Sequence, residues 1–266
     1  MLDVEFAELS DRGNYREENE DCLGHVVPDT PALVRSQGWL FALADGMGGQ
    51  EKGEVASRLA IDTAVSGFRT MPKGVMHVSL LPRLVQEANA AVYDKGHVTK
   101  SGSGNMGTTL VLCALRFDSA VLSHVGDSRG YLFRDGKGVQ LTLDHTMVAE
   151  QLRMGLMSQA EAQTADNRHI LTRSLGNELF VAADTITVNI IPGDILLLCS
   201  DGLHDSVPHT TMGRIIESNK DLKGMTEALH AAAIKSGSED NISVQLIRVR
   251  SVERMGLYRG RPYRLL

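Results

Sequence analysis

The stretch Phe41-Ala42-Leu43-Ala44-Asp45-Gly46-Met47-Gly48-Gly49 decides how the chain is read. Four apolar residues in a row, too few for a helix and stopped by glycines, describe a strand covered on both faces. Asp45 then stands at the mouth of that strand, where a carboxylate must be hydrated, paired or bound to a cation. Asp-Gly is also an ordinary hairpin turn, so the stretch alone leaves two readings open, a plain turn and a metal ligand.

Working outward, the same layout recurs. The apolar run 195–199 empties into Ser200-Asp201-Gly202-Leu203, and Ser238-Glu239-Asp240-Asn241 leads into an alternating strand through Val249. Asp127 occupies a fourth acidic turn, Gly126-Asp127-Ser128. Converging carboxylates need cations. Ligation by carboxylates, a backbone carbonyl and waters suits Mg²⁺ or Mn²⁺, and no His/Cys cluster competes for zinc. Gly46, lacking a Cβ, would let a backbone carbonyl approach the metal closely.

Composition narrows the function classes. With 266 residues, 42% hydrophobic and 23% charged, the chain has the make-up of one large globular domain rather than a disordered or fibrous one. A net charge of -6 argues against nucleic acid as a partner, because phosphate backbones are bound by clustered Lys and Arg. No run approaches the roughly 18 apolar residues that span a membrane. Met1-Leu2-Asp3-Val4-Glu5 lacks the basic and apolar regions of a signal peptide, so the expected compartment is the cytoplasm. Cys22, Cys113 and Cys199 are odd in number with no CxxC spacing and read as reduced, buried thiols.

Along the chain, residues 10–21 mix charges of both signs and read first as a solvated face. Helical spacing of Leu59, Ala60, Ala64 and Phe68 predicts a helix over 54–68, and a second is expected from an N-cap at Ser79 to about Lys95. Gly102-Ser103-Gly104-Asn105-Met106-Gly107 matches GxGxxG but precedes a strand rather than opening a helix. It also lacks the P-loop Lys, which sets nucleotide binding aside. Residues 108–143 read as an antiparallel meander. Residues 144–181 read as an insertion over the sheet, with a capping box at Ser158 and Glu161. A last helix is marked by Leu222, Met225, Leu229, Ala232 and Ala233. The expected division is a domain over 1–249 and a basic tail over 250–266, either a loose end or a docking segment.

Eight short motifs now stand in order: Arg16-x-x-Asn19-Glu20-Asp21, Ala44-Asp45-Gly46-Met47-Gly48-Gly49, Gly107-Thr108-Thr109, His124-Val125-Gly126-Asp127-Ser128-Arg129-Gly130, Leu141-Thr142-Leu143-Asp144-His145-Thr146, Leu171-Thr172-Arg173-Ser174-Leu175-Gly176, Ser200-Asp201-Gly202-Leu203 and Asp240-Asn241-Ile242-Ser243. Together, across residues 8–249, they resemble the metal-dependent protein serine/threonine phosphatases of the 2C type, bacterial members in particular.

The resemblance implies an α+β fold, a four-layer αββα sandwich of two antiparallel sheets flanked by helix pairs, with 144–181 as a flap. It turns the solvated face of 10–21 into part of the site. Two ions, Mn²⁺ or Mg²⁺, would be bridged by Asp45. The Gly46 carbonyl and Glu20 would serve one, and Asp201 and Asp240 the other. In bacterial members Asp127 would join Asp201 at a third. Asp21 would orient a water on the ions, and Arg16 would grip phosphate oxygens with its fork of donors. The implied reaction is hydrolysis of phosphoserine and phosphothreonine in proteins, opposing a Ser/Thr kinase. The enzyme is expected to be monomeric, with neither nucleic acid nor membrane as a partner. A catalytically silent binding module and a small-molecule phosphomonoesterase are the alternatives.

A cysteine mechanism would need Cys-x5-Arg, and Pro28, Ser119 and Asp205 stand where that Arg would be. Many eukaryotic relatives carry His where Met47 stands, and many bacterial ones carry it where Gln50 stands. With neither present, and with His124, His145 and His169 expected to be structural, the leaving group would take its proton from water.

Overall fold

The computed structural model describes residues 1–47, 52–98, 106–165, 167–258 and 261–264. The first part of the chain runs β1 (Asp3–Asp11), β2 (Asp21–Val26), α1 (Pro31–Ser36), β3 (Trp39–Met47), α2 (Lys52–Thr70) and α3 (His77–Val98). Strands β4 (Gly107–Thr108), β5 (Leu110–Arg116), β6 (Ser119–Val125), β7 (Arg129–Arg134) and β8 (Lys137–Gln140) follow, then α4 (Met147–Arg153) and α5 (Gln159–Thr164). The remainder is β9 (Asp184–Asn189), β10 (Ile195–Cys199), α6 (Asp201–His204), α7 (His209–Ser218), α8 (Leu222–Lys235), β11 (Ile242–Ser251), β12 (Met255–Tyr258) and β13 (Arg261–Arg264).

Two antiparallel sheets result. One has the order β2-β3-β5-β6-β9, with β4 pairing β3, and the other β1-β11-β10-β7-β8. Strand β3 shows why they stack. Its even residues Leu40, Ala42 and Ala44 pack with Ala60, Ala64 and Phe68 of α2 and Leu84 and Ala88 of α3. Its odd residues Trp39, Phe41 and Leu43 meet Leu196, Leu198 and Ile247 of the opposite sheet. The two-residue period of a strand puts successive side chains on opposite faces, so an unbroken apolar run must be covered twice. The far face of the second sheet, through Tyr131, Leu197 and Leu246, is closed by Met212 and Ile216 of α7 and by Met225 and Leu229 of α8. This is the αββα sandwich that the motifs imply. Each fully buried aliphatic side chain contributes roughly 1.5–3 kcal/mol.

Four local expectations need correction. The meander over 108–143 is broken at Gly126, where the chain leaves the sheet of β5 and β6 and enters that of β7 and β8. Gly126 has φ +100, and a Cβ there would lie 2.6 Å from Thr109. Alternation within the strands carries no information about which sheet the next strand joins. Helix α3 begins at His77 and contains Pro82. Ser79 is no cap, because its own amide already bonds to the Met76 carbonyl at 3.1 Å. Helices α1 and α7 were not foreseen. The signal for α1 is Thr30, which caps through Leu33 N ahead of Pro31. Finally, β11 runs to Ser251, beyond the boundary expected at 249, and Glu253 is buried against Arg35 Nε at 3.0 and 3.2 Å.

The capping box at Ser158 and Glu161 forms as expected. Gln50 and most of the GxGxxG match, Gly102-Ser103-Gly104-Asn105, lie outside the described residues. No described helix is long and apolar enough to cross a membrane.

Candidate metal centre

The acids gather at one end of the two sheets because strand ends deliver them there. Asp21 opens β2 and lies directly across from Asp45 in β3. Asp201 opens α6 immediately after β10, Asp240 precedes β11, and Asp127 sits in the crossing between the sheets. Burial, followed by the charges of Asp21, Asp201, Asp127 and Asp240, holds the Asp45 carboxyl well above the usual carboxylate range. Asp201 is lifted in the same way by burial and by Asp127, Asp240, Asp205 and Asp21. Burial pushes Asp21 up to about 6 despite hydrogen bonds with Ser243 and Ser200, and it raises Glu20 and Asp127 too. Like charges enclosed together favour their protonated forms unless a cation joins them.

Backbone geometry fixes this cluster. The Asp45 amide donates to Thr109 Oγ1 at 2.9 Å, and the Asp45 carbonyl accepts from Thr109 N at 2.9 Å and Thr108 Oγ1 at 2.8 Å. The Gly46 amide donates to the Glu20 carbonyl at 3.1 Å. A Cβ on Gly46 would overlap the Gly53 carbonyl, so only glycine permits β3 to pass so close to the start of α2. The Glu20 carboxyl lies against Gly53, where an added Cβ would be 2.5 Å from it.

Arg16 reaches the cluster from the loop between β1 and β2. Its Nη2 donates to Asp240 Oδ2 at 2.5 Å from a half-exposed position. Burial would lower the Arg16 pKa, but the hydrogen bond and charge of Asp240 outweigh that and raise it. All eight residues expected at the site therefore meet at this end of the sandwich.

Two buried oxygens, Asp21 Oδ1 and Asp201 Oδ1, have no hydrogen-bond partner among the described residues. A buried carboxylate oxygen without a donor is costly, and a cation would satisfy it. Among the described residues no three His, Cys, Asp or Glu side chains form a ready cage. The donor set, oxygen throughout, fits Mg²⁺ or Mn²⁺.

Comparison with known proteins gives this geometry a family. The family model described as protein phosphatase 2C matches residues 23–243. The chain belongs to the protein phosphatase 2C family. It is 36% identical over 245 residues to the serine/threonine phosphatase Stp of Listeria monocytogenes, across 90% of this chain and 93% of that protein. It is 33% identical over 246 residues to the protein phosphatase PhpP of Streptococcus pneumoniae, with 92% and 97% covered. Its fold is similar to a crystal structure of the catalytic domain of the serine/threonine phosphatase PstP in complex with two manganese ions. That match has a TM-score of 0.80 and 33% identity, and covers 94% of this chain and all of the other.

This phosphatase 2C chain also shows supporting residues that motif reading passed over. Asn241 Oδ1 accepts from Glu20 N at 2.8 Å while its Nδ2 donates to the carbonyls of Arg12 and Glu18 at 3.1 and 2.9 Å, pinning the loop that carries Arg16. Ser200 Oγ donates to Asp21 Oδ2 at 2.8 Å. His204 Nε2 lies 3.0 Å from the Asp127 carbonyl oxygen. Asn241 and Ser200 stood inside quoted motifs. Nothing marked His204.

His124, His145 and His169 have structural partners. His124 Nε2 meets the Leu143 carbonyl at 2.8 Å, and His145 Nδ1 accepts from Gly126 N at 3.1 Å, the two rings stacking at 4.8 Å. Burial lowers His124 and takes His145 to about 4, which keeps both neutral. His169 Nδ1 is 3.4 Å from Asp205.

Proposed function

We propose that this protein is a metal-dependent serine/threonine phosphoprotein phosphatase. The observation that carries the reading is the enclosed set Asp21, Asp45, Asp201 and Asp240, with two buried oxygens left without donors among the described residues, in a chain 36% identical to a serine/threonine phosphatase. In the reaction a water oxygen bonds to phosphorus, the bond from phosphorus to the Ser or Thr oxygen breaks, and a proton returns to that oxygen.

Asp45, Glu20 and the Gly46 carbonyl would hold one ion, and Asp45, Asp201 and Asp240 another. Asp127 with Asp201 would hold a third. Mn²⁺ or Mg²⁺ there would lower the pKa of a water and neutralise charge on the attacking and leaving oxygens. The chain's own groups do the rest. Asp21 Oδ1, without a donor among the described residues, would accept a hydrogen bond from the attacking water. Arg16 presents a planar fork of donors to phosphate oxygens. Met47 has no proton to give, and no described histidine is assigned to the leaving oxygen. Solvent therefore protonates it, and aryl phosphates turn over faster than alkyl phosphates.

The substrates are phosphorylated proteins, the opposing enzyme is a Ser/Thr kinase, and the phosphatase acts as a monomer. A cytoplasmic compartment is supported by three free cysteines. The test is Mn²⁺-dependent phosphate release from phosphoserine, phosphothreonine and phosphotyrosine peptides, with Asp45→Asn as control. Release from the first two is expected. No release with any divalent metal would overturn the reading.

A further inference from the structure

The chain leaves β11 at Ser251 and is tied to the body just beyond it. Val252 packs against the core between the sheets, and the Glu253 amide donates to the Phe117 carbonyl at 3.4 Å. The buried Glu253 carboxylate accepts from Arg35 Nε. Past that root the backbone joins neither sheet. Among the described residues β12 and β13 pair only with each other, from Met255 opposite Arg264 to Tyr258 opposite Arg261. A two-stranded sheet is marginal by itself and gains stability from a third strand or from packing. Its outer edges present backbone N–H and C=O groups that a further strand would satisfy.

Charge says which strand. Residues 254–266 contain four arginines and no acid. Other arginines at this end of the molecule are engaged within the chain, Arg248 and Arg250 with Glu5 and Arg35 with Glu253. Arg254 is exposed and has no partner among the described residues. The place matters too. β11 starts next to Asp240 and is 10 residues long, so the root lies roughly 30 Å from the acid cluster.

We propose that β12 and β13 are a docking sheet for an extended acidic segment of a partner protein, which adds as a third strand beside the arginines. Strand addition draws affinity from main-chain hydrogen bonds, and guanidinium donors select carboxylates. An anionic lipid surface would neutralise the arginines but offers no peptide ladder to the open edges. A second copy would set the same four arginines against these. Docking this far from the acid cluster leaves the cluster open, so a partner held there can present its phosphoserine or phosphothreonine to it. That consequence, unlike the docking itself, rests on the phosphatase reading.

The experiment measures fluorescence anisotropy of a labelled peptide alternating Glu and Val, titrated with the full chain in chelator. Binding is expected, with a loss of about tenfold in Arg261→Glu with Arg264→Glu, since like charge then replaces opposite charge. Deletion of 255–266 should abolish it. A peptide alternating Glu and Pro keeps the charge but cannot pair as a strand, and should bind about tenfold more weakly. Mn²⁺-dependent hydrolysis of p-nitrophenyl phosphate should be unchanged in every variant, which shows that they fold. A phosphoserine peptide joined to the Glu-Val segment by a Gly/Ser linker that spans the distance should have a KM about tenfold below that of the unjoined peptide, a gain lost on charge reversal. No binding of the Glu-Val peptide, equal binding of the Glu-Pro peptide, or binding undiminished by charge reversal would overturn the proposal. So would phosphatidylglycerol vesicles that bind the chain in place of the peptide, or a chain that dimerises through these arginines. Peptide binding without hydrolysis of any phosphate ester would uphold the docking sheet and overturn the phosphatase reading instead.

Discussion

Asp45 and Asp201 follow the same pattern, an apolar strand emptied into Asp-Gly, yet the fold handles them in opposite ways. Around Asp45 the backbone stays extended. Strand β3 continues to Met47, and the peptide groups of Asp45 are bonded to Thr108 of β4 and to Thr109 between β4 and β5. Around Asp201 the backbone turns. The strand ends at Cys199, Asp201 opens the short helix α6, and its carbonyl accepts from Asp205 N at 2.9 Å. The first acid is clamped by strands, whereas the second sits on a turn whose following residues reach the flap. One local pattern therefore serves both a rigid post and a connected one.

The largest effect that tests this contrast is on activity. On the assignment proposed above Asp45 serves both of the first two ions, whereas Asp201 serves one of them and shares the third, so replacing Asp45 should matter more. Asp45→Asn should lower kcat/KM for phosphopeptide by about 10³-fold, or roughly 4 kcal/mol. Asp201→Asn should lose about tenfold less. Equal losses would break the distinction between the two positions.

Chelated protein gives the next effect, read in stability against pH. Asp21, Asp45 and Asp201 have folded pKa values above their unfolded ones, with Asp21 at about 6. The folded state therefore holds more protons than the unfolded state between pH 4 and 6. Stability from these groups is full below the unfolded pKa and is lost as pH rises through the folded one. For Asp21 alone this amounts to roughly 3 kcal/mol. In chelator the melting temperature should fall between pH 5 and pH 8, and Mn²⁺ should reverse the trend. Asp45→Asn should flatten the chelated profile more than Glu20→Gln, because Glu20 stands outside the group of acids that charge Asp45. A profile that rises with pH in chelator would contradict the burial of these acids.

Glycine substitution probes the turn itself. A Cβ on Gly202 would overlap the Asn241 backbone, and one on Gly46 would overlap Gly53. Overpacking of this kind costs about 1–3 kcal/mol. Denaturant unfolding should show a loss of that size for Gly202→Ala and for Gly46→Ala.

Much of this was legible in the sequence and some was not, for physical reasons. The strand at Asp45 could be read because four apolar residues bounded by glycine leave few alternatives. The site residues could be named because their motifs stand in family order. The sheet change at Gly126 could not be read, since a hairpin and a crossing share the same local signal and differ only in long-range pairing. His204 escaped notice because its role depends on the Asp127 carbonyl, 77 positions away in sequence. The pairing of β12 with β13 was hidden by a basic composition that suits a loose end as well as paired strands.

The smallest effect separates the hydroxyls that support the two acids. Thr109 Oγ1 serves the backbone of Asp45, whereas Ser200 Oγ serves the carboxylate of Asp21. Each substitution, Thr109→Ala or Ser200→Ala, removes hydrogen bonds worth about 1 kcal/mol. They should nonetheless differ in the pH dependence of kcat/KM. The Ser200 hydroxyl donates to the ionised form of Asp21 and lowers its pKa, so its removal raises that pKa. Activity that needs the Asp21 carboxylate is lost as pH falls through this pKa, so the acid limb should move upward in Ser200→Ala, by up to about one unit. In Thr109→Ala the limb should stay in place while the melting temperature falls. A limb that moved equally in both would mean that the backbone at Asp45 and the carboxylate at Asp21 respond as one unit.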